Sequence, residues 1–157
     1  MARVTPNQSI FMERKHINLS FTSYSEPAEL PESMADLLAA AKAALPESYS
    51  PYSRFQVAAA ARTESGAVFS ACNTENAAYP MCLCAERSAL AAVASLKPNE
   101  KVVSMAITVK SPSQTLNQPA SPCGACRQVL AEHEQRHGHK MELILQGEVG
   151  SVYVIES

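Results

Sequence analysis

The sequence predicts an α/β fold, a three-layer α/β/α sandwich around a mixed sheet of about five strands. Three observations lead there. Segments with helical periodicity and clear stops, at 32–45, 84–96 and 123–137, are interleaved with short strand-like runs at 55–61, 67–72, 102–109, 141–145 and 151–155. The run from Val102 to Val109 is apolar almost throughout, as in a strand buried on both faces. A chain of 157 residues with 46% hydrophobic content is also enough for one core, and therefore one domain.

Residues 1–28 read as an N-terminal extension, polar and mixed in charge, expected to be partly extended or disordered. A weak alternation of Ile17, Leu19 and Phe21 points to an edge strand within it. Residues 29–157 are expected to form the domain proper. Its first helix runs from Glu32 to Leu45, with Met34, Leu37, Leu38, Ala41 and Leu45 on one face and Pro46 as its stop. The loop from Tyr49, with Pro51, feeds a strand from Phe55 to Ala61, and Ser65-Gly66 reads as a hairpin turn into Ala67 to Cys72. Taken alone, an aromatic at a strand start such as Phe55 reads as core. Asn73 and Glu75 open the next loop, either as solvated residues of an Asx turn or as an amide and a carboxylate that grip neighbouring hydroxyl groups. The segment 84–96 is apolar nearly all round and stops before Pro98, while 123–137 ends at Arg136, His137 and Gly138, a favourable helix terminus.

The chemistry concentrates at the starts of these last two helices. Cys84, Cys123 and Cys126 supply three thiols, and thiolates favour zinc, whose catalytic sites keep three protein ligands and one open position. A helix N-terminus carries free N–H groups and partial positive charge, which favour the thiolate form the metal needs. Glu86, two residues from the first thiol, is out of place in a purely structural site, because a buried carboxylate beside an anionic cluster is costly without a task. Taking a proton from water is such a task. Arg87 is placed to withdraw negative charge from the thiolates as a neighbour of the ligands. Two rival readings are weaker. A closed four-cysteine site using Cys82 would strain one tetrahedron across a single intervening residue, so Cys72 and Cys82 read as small buried hydrophobes. A Cys₂His₂ finger using His133 and His137 would put all four groups on one helix, so the histidines read as a solvated face.

Formal net charge is −2 and the largest basic cluster is Arg14-Lys15, which argues against a nucleic-acid partner. No apolar run approaches the ~20 residues of a membrane span, and no charged-then-apolar leader opens the sequence. Five cysteines, an odd number, fit a reducing cytoplasm better than a disulfide framework.

Pro51-Tyr52-Ser53-Arg54-Phe55, Asn73-Thr74-Glu75-Asn76-Ala77-Ala78-Tyr79, Cys84-Ala85-Glu86-Arg87 and Ser121-Pro122-Cys123-Gly124-Ala125-Cys126-Arg127-Gln128-Val129-Leu130 together resemble the cytidine deaminases of free-nucleoside metabolism. The resemblance covers roughly residues 46–155 in order. Its cysteine pattern is the known zinc deaminase signature, in which the glutamate is the acid/base group and not a ligand. Cysteine as the first ligand resembles the small homotetrameric branch. The resemblance implies hydrolytic deamination of cytidine and deoxycytidine in pyrimidine salvage, with Zn²⁺ on Cys84, Cys123 and Cys126 and Glu86 moving the protons. It further implies that Phe55 packs on the pyrimidine, Asn73 and Glu75 grip the ribose, backbone groups at Ala85 and Ser121 hold the base edge, and Tyr79 reaches a neighbouring subunit's pocket. Two departures stand out: Val57-Ala58-Ala59-Ala60 replaces the family's valine-glycine-alanine-alanine, which tightens packing, and the sequence stops at Ser157, where a further leucine-leucine-proline and aromatic tail is expected. Deamination of a modified or antibiotic nucleoside, a nucleic-acid base editor and a non-catalytic structural zinc module are the alternatives.

Overall fold

The computed structural model describes residues 13–16 and 19–156. Along the chain come β1 Thr22–Tyr24, α1 Glu32–Ala44, β2 Gln56–Thr63, β3 Val68–Cys72, α2 Ala85–Leu96, β4 Val102–Lys110, α3 Gly124–His137, β5 Glu142–Gln146 and β6 Val152–Glu156. The strands form one sheet in the order β1-β6-β5-β4-β2-β3. Only β4 and β5 run parallel among these neighbours, and a parallel pair needs a long crossover, which α3 provides. No helix among the described residues is long and apolar enough to cross a membrane.

Among the described residues the mixed sheet has six strands where about five were expected, and the sixth is β1, within the segment expected to be an N-terminal extension. The edge strand anticipated at Ile17, Leu19 and Phe21 is shifted along the chain. Pairing begins at Thr22 opposite Val154, and Ile17 lies outside the described residues. The Phe21 ring rests 4.7 Å, centroid to centroid, from that of Tyr153, while Leu19 stays exposed. Pairing therefore starts just after the aromatic contact.

Strand side chains alternate between faces, and this alternation divides the core in two. Ala59, Ala61, Met105, Ile107, Leu143 and Leu145 pack with Ala89, Leu90 and Val93 of α2 and Leu130 of α3. Ala60, Ala106 and Ile144 face the other way, against Leu37, Leu38 and Ala41 of α1. Helices thus cover both faces of the sheet. Ala58 to Ala61 on the central strand β2 are all fully buried, and their small side chains let the helices on either face come close. Burying Leu37 and Leu38 contributes about 1.5–3 kcal/mol each. That outweighs the roughly 1 kcal/mol lost because Pro31 gives α1 no side-chain cap.

Two contacts fix α3, and through it two of the three clustered cysteines. The Val102 N–H at the start of β4 donates to Nε2 of His133 at 3.0 Å, and the Met141 N–H donates to the Glu134 carboxylate at 2.7 Å. His133 therefore departs from the solvated face expected of it: α3 turns it inward against β4. Burial lowers its pKa, the charges of His137 and Arg136 add to this, and Glu134 opposes them.

A lowered folded pKa means that the unfolded chain binds the proton more readily, so acid favours unfolding. The contribution is intact above the ordinary histidine value of about 6.5 and falls as pH drops through it. Thermal unfolding followed from about pH 8 to about pH 5 should show this decline in the wild type and a flatter profile in His133→Asn, whose amide oxygen still accepts from Val102. Identical profiles would remove His133 as the cause.

Candidate metal centre

Two helix N-termini build the centre. Cys84 is the N-cap of α2 and Cys123 the N-cap of α3, where its Sγ accepts the Cys126 N–H at 3.4 Å in place of the usual cap oxygen. The approach to α2 is held by Thr74 and Leu83, which exchange two backbone hydrogen bonds at 2.9 Å. The approach to α3 lies on the turn between β5 and β6. There the Val149 N–H donates to the Leu116 carbonyl at 3.1 Å, and a Cβ on Gly147 would stand 2.5 Å from that same carbonyl. Only glycine permits this approach.

The three thiols converge. Cys84 Sγ and Cys123 Sγ are 3.9 Å apart, Cys123 Sγ and Cys126 Sγ 3.4 Å, and all three lie within 4.8 Å of one another. Sulfurs at about 2.3 Å from a tetrahedral zinc are separated by about 3.8 Å, so the donor set fits that ion. Cys82 is outside the cluster, which removes the four-cysteine alternative. Electrostatics also call for a cation. The Cys126 N–H lowers the Cys123 pKa. Burial raises that of Cys84, with Glu86 and Cys123 adding and a hydrogen bond to Cys126 opposing. Burial likewise raises Cys126, where Glu86 and the other two thiols add to it. Only one thiol is predisposed to ionise, and a divalent metal would supply the compensation the other two lack.

Two buried polar atoms next to the thiols are without a hydrogen-bond partner among the described residues: Oε2 of Glu86 and Nε of Arg87. Glu86 is 5% exposed in the first turn of α2, where a carboxylate is favoured by the helix N-terminus. Arg87 is anchored by donation from Nη2 to the Cys82 carbonyl at 2.7 Å. Burial works against its charge, but the interaction with Cys84 and the charges of all three thiols outweigh it.

A cavity of about 390 Å³ opens beside the thiols. Cys84, Cys123 and Glu86 form one wall, and Phe55, Asn73, Glu75, Tyr79 and Ser121 also line it. Ala85 is fully buried at the first helical position of α2, where the backbone N–H has no intrahelical partner. The structure thus gathers the residues singled out in the sequence, with Cys126 buried beneath them.

The part of the cavity lined by Asn73 and Glu75 is more constrained than the sequence indicated. Asn73 Oδ1 accepts from Ser48 Oγ at 2.5 Å and from the Val57 N–H at 2.8 Å, while its Nδ2 donates to the Phe55 carbonyl at 2.9 Å. Glu75 Oε2 accepts the N–H groups of Tyr52 and Ser53 at 2.8 and 3.2 Å, and Oε1 accepts the Ser53 hydroxyl at 2.5 Å. The Ser53 bond is the main reason the Glu75 pKa is lowered, burial opposes it, and the Tyr52 and Ser53 amides add to it. Both side chains brace the loop leading to Phe55. Its residue Arg54 adopts φ 57°, a left-handed conformation that costs a non-glycine residue about 1–3 kcal/mol and that these bonds help to hold. Among the described residues, donor and acceptor count leaves Asn73 one N–H and Glu75 about one acceptor site.

Sequence reasoning passed over Ser53 and misjudged Cys82. Cys82 is half-buried, lines the cavity, and accepts the Asn76 N–H at 3.2 Å. The Pro51-Tyr52-Ser53 turn was visible in the sequence, but nothing local to it marked Glu75, 22 residues away, as its partner.

Comparison with known proteins agrees with this geometry. Residues 31–137 match the family described as "Cytidine and deoxycytidylate deaminase zinc-binding region". The cytidine deaminase of Sporosarcina psychrophila is 42% identical over 97 residues, 61% of this chain and 66% of that protein. That of Mycobacterium tuberculosis is 41% identical over 85 residues, 54% of this chain and 59% of that protein. The matched region thus spans somewhat less than two thirds of these curated relatives. Among solved structures, cytidine deaminase from Burkholderia pseudomallei superposes with a TM-score of 0.67 at 40% identity, covering 77% of this chain and 90% of that one. Cytidine deaminase from M. tuberculosis superposes at 0.57 and 34% identity, covering 69% and 80%. With three converging thiols, a buried glutamate beside them and a family match over most of its length, the chain belongs to the cytidine and deoxycytidylate deaminase zinc-binding family.

Proposed function

We propose that this protein deaminates cytidine and deoxycytidine hydrolytically, giving uridine or deoxyuridine and ammonia. The observation that carries this reading is the Glu86 carboxylate, buried in the cavity wall beside three thiols, with Oε2 lacking a partner among the described residues. Two carboxylates line the cavity, and only Glu86 has an oxygen without a partner among the described residues, since both oxygens of Glu75 are occupied. Cys84, Cys123 and Cys126 would hold zinc, which supplies the Lewis acidity that makes water a competent nucleophile at neutral pH. Glu86 takes a proton from that water and delivers it to ring N3, which makes C4 electrophilic. After the water oxygen has added at C4, Glu86 takes the remaining proton from the new C4 hydroxyl and carries it to the exocyclic amine, which departs as ammonia as the C4 carbonyl forms. Phe55 packs on the ring, and the backbone at Ala85 and Ser121 holds the base edge. Arg87 moderates the negative charge of the thiolates.

The sugar is read by Asn73 and Glu75. Their remaining capacity, one donor and about one acceptor, suits a single hydroxyl group. This supports use of both sugars, because cytidine and deoxycytidine share the 3′-hydroxyl. It disfavours an antibiotic nucleoside lacking that group. A structural zinc module would leave the buried Glu86 carboxylate without a task, and a base editor is disfavoured by the net charge of −2.

The catalytic unit in this reading is residues 29–157, with 1–28 as an extension. Tyr49, Tyr52, Tyr79, Met81 and Leu83 are exposed, an apolar group that suits burial in a homotetramer, with Tyr79 serving a neighbouring pocket. Thiols that must stay reduced to bind metal fit a cytoplasmic enzyme of pyrimidine salvage.

The test is ammonia release by the zinc-loaded protein from cytidine, deoxycytidine, free cytosine and a cytidine-containing oligonucleotide. Turnover of the two nucleosides alone is expected, and no turnover of either would end the proposal. Glu86→Gln should keep its zinc and lose at least ~10² to 10⁴ in turnover, and near-normal activity would remove Glu86 from the mechanism. Cys126→Ala should purify with far less than one zinc per chain by elemental analysis, and full occupancy would mean that Cys126 is not a ligand.

A further inference from the structure

We propose that Ser53 is a positioning residue that aims the sugar side of the cavity, holding the Glu75 carboxylate and the Phe55 backbone through one hydroxyl. The inference rests on the nucleoside-deaminase reading above. Ser53 Oγ donates to Glu75 Oε1 at 2.5 Å and accepts the Phe55 N–H at 3.0 Å. A hydroxyl offers one donor and two acceptor sites, so Ser53 satisfies both neighbours at once, alanine neither, and threonine both.

The two oxygens of Glu75 are held differently. Oε2 accepts two backbone N–H groups, from Tyr52 and Ser53, and these tie the loop to the carboxylate whatever side chain stands at 53. Oε1 depends on the Ser53 hydroxyl, and it carries the acceptor site left over for a substrate hydroxyl. The terminal torsion of a glutamate is broad, so without that hydroxyl the loop stays tethered while the free acceptor loses its direction. Phe55 is affected through the backbone. Arg54, between Ser53 and Phe55, sits at φ 57°, and the Ser53 bond to the Phe55 N–H spans that left-handed residue. Ser53 has no hydrogen bond to a thiol or to Glu86 among the described residues, so its loss leaves the metal and the proton carrier in place.

Ser53→Ala should therefore keep its zinc and most of its kcat while KM for cytidine rises about tenfold. The penalty should be clearly smaller for 2′,3′-dideoxycytidine, which lacks the 3′-hydroxyl assigned to Glu75, and Ser53→Thr should restore most of the loss. Unchanged KM in the alanine variant, an equal penalty on cytidine and its dideoxy analogue, or no rescue by threonine overturns the proposal. Ser53→Gly serves as a second hydroxyl-free variant. If neither it nor the alanine variant folds, the proposal also fails, because the two amide bonds to Oε2 are what should keep the loop. Wild-type protein inactive on cytidine would sink the deaminase reading itself, whereas an active wild type with an unchanged alanine variant would sink only the role of Ser53.

Discussion

The convergence of two helix N-termini at one end of the sheet governs most of what surrounds it. A cysteine at the cap of α2 and another at the cap of α3 bring a third along, since Cys126 follows Cys123 by one helical turn. The resulting cluster resists its own ionisation, because burial and the Glu86 carboxylate both oppose charge on Cys84 and Cys126. Such a site survives only if the helices carrying it are anchored independently of the metal. Leu90 and Val93 on α2 and Leu130 on α3, all buried against the sheet, contribute about 1.5–3 kcal/mol each to that anchorage. The alanines of β2 let α2 approach closely enough for the contact to form.

The metal half of the site was legible in the sequence because its determinants are local. Cys84 with Glu86, and Cys123 with Cys126, lie within single helical turns, and their position at helix starts follows from hydrophobic periodicity. The same holds for α1, α2, α3 and the five longer strands. The other half was only partly legible. Asn73 and Glu75 could be picked out as polar residues at a loop entrance, but their partners Ser48, Val57 and Ser53 lie 25, 16 and 22 residues away. Such pairings exist only after β2 and β3 have zipped together, and no window of sequence displays them. His133 was misjudged for the same reason, since its partner Val102 is 31 residues distant. The shift in β1 follows from its length: three residues are too few to show an alternation, and its register depends on β6.

The two cavity carboxylates share a cavity and differ in what surrounds them. Glu75 accepts three hydrogen bonds, which favour its charged form and fix its orientation. Such a group is poorly suited to passing protons, because protonation would compete with the bonds that hold it. Glu86 stands in the opposite condition, buried with an oxygen that makes no hydrogen bond among the described residues. A proton can arrive there and leave without dismantling a network. In the proposed mechanism, hydrogen-bond saturation would thus separate the binding carboxylate from the proton carrier.

That saturation also bears on how little the pocket must change when a ligand enters. Asn73 and Glu75 are already held by the loop they brace, so in the proposed binding mode a sugar hydroxyl would meet groups whose rotamers are fixed, and the ordering of those side chains would not count against binding. The arrangement couples the two ends of the substrate as well. Asn73 Nδ2 donates to the Phe55 carbonyl and Ser53 Oγ accepts from the Phe55 N–H, so the residue proposed to face the base is tied on both sides of its backbone to the residues proposed to face the sugar. If those roles hold, a ligand that engages the sugar-side pair would steady the aromatic wall, and a base stacked on that wall would steady the pair. A free base, offering only one of these contacts, would gain less from a pocket built this way than a nucleoside that offers both.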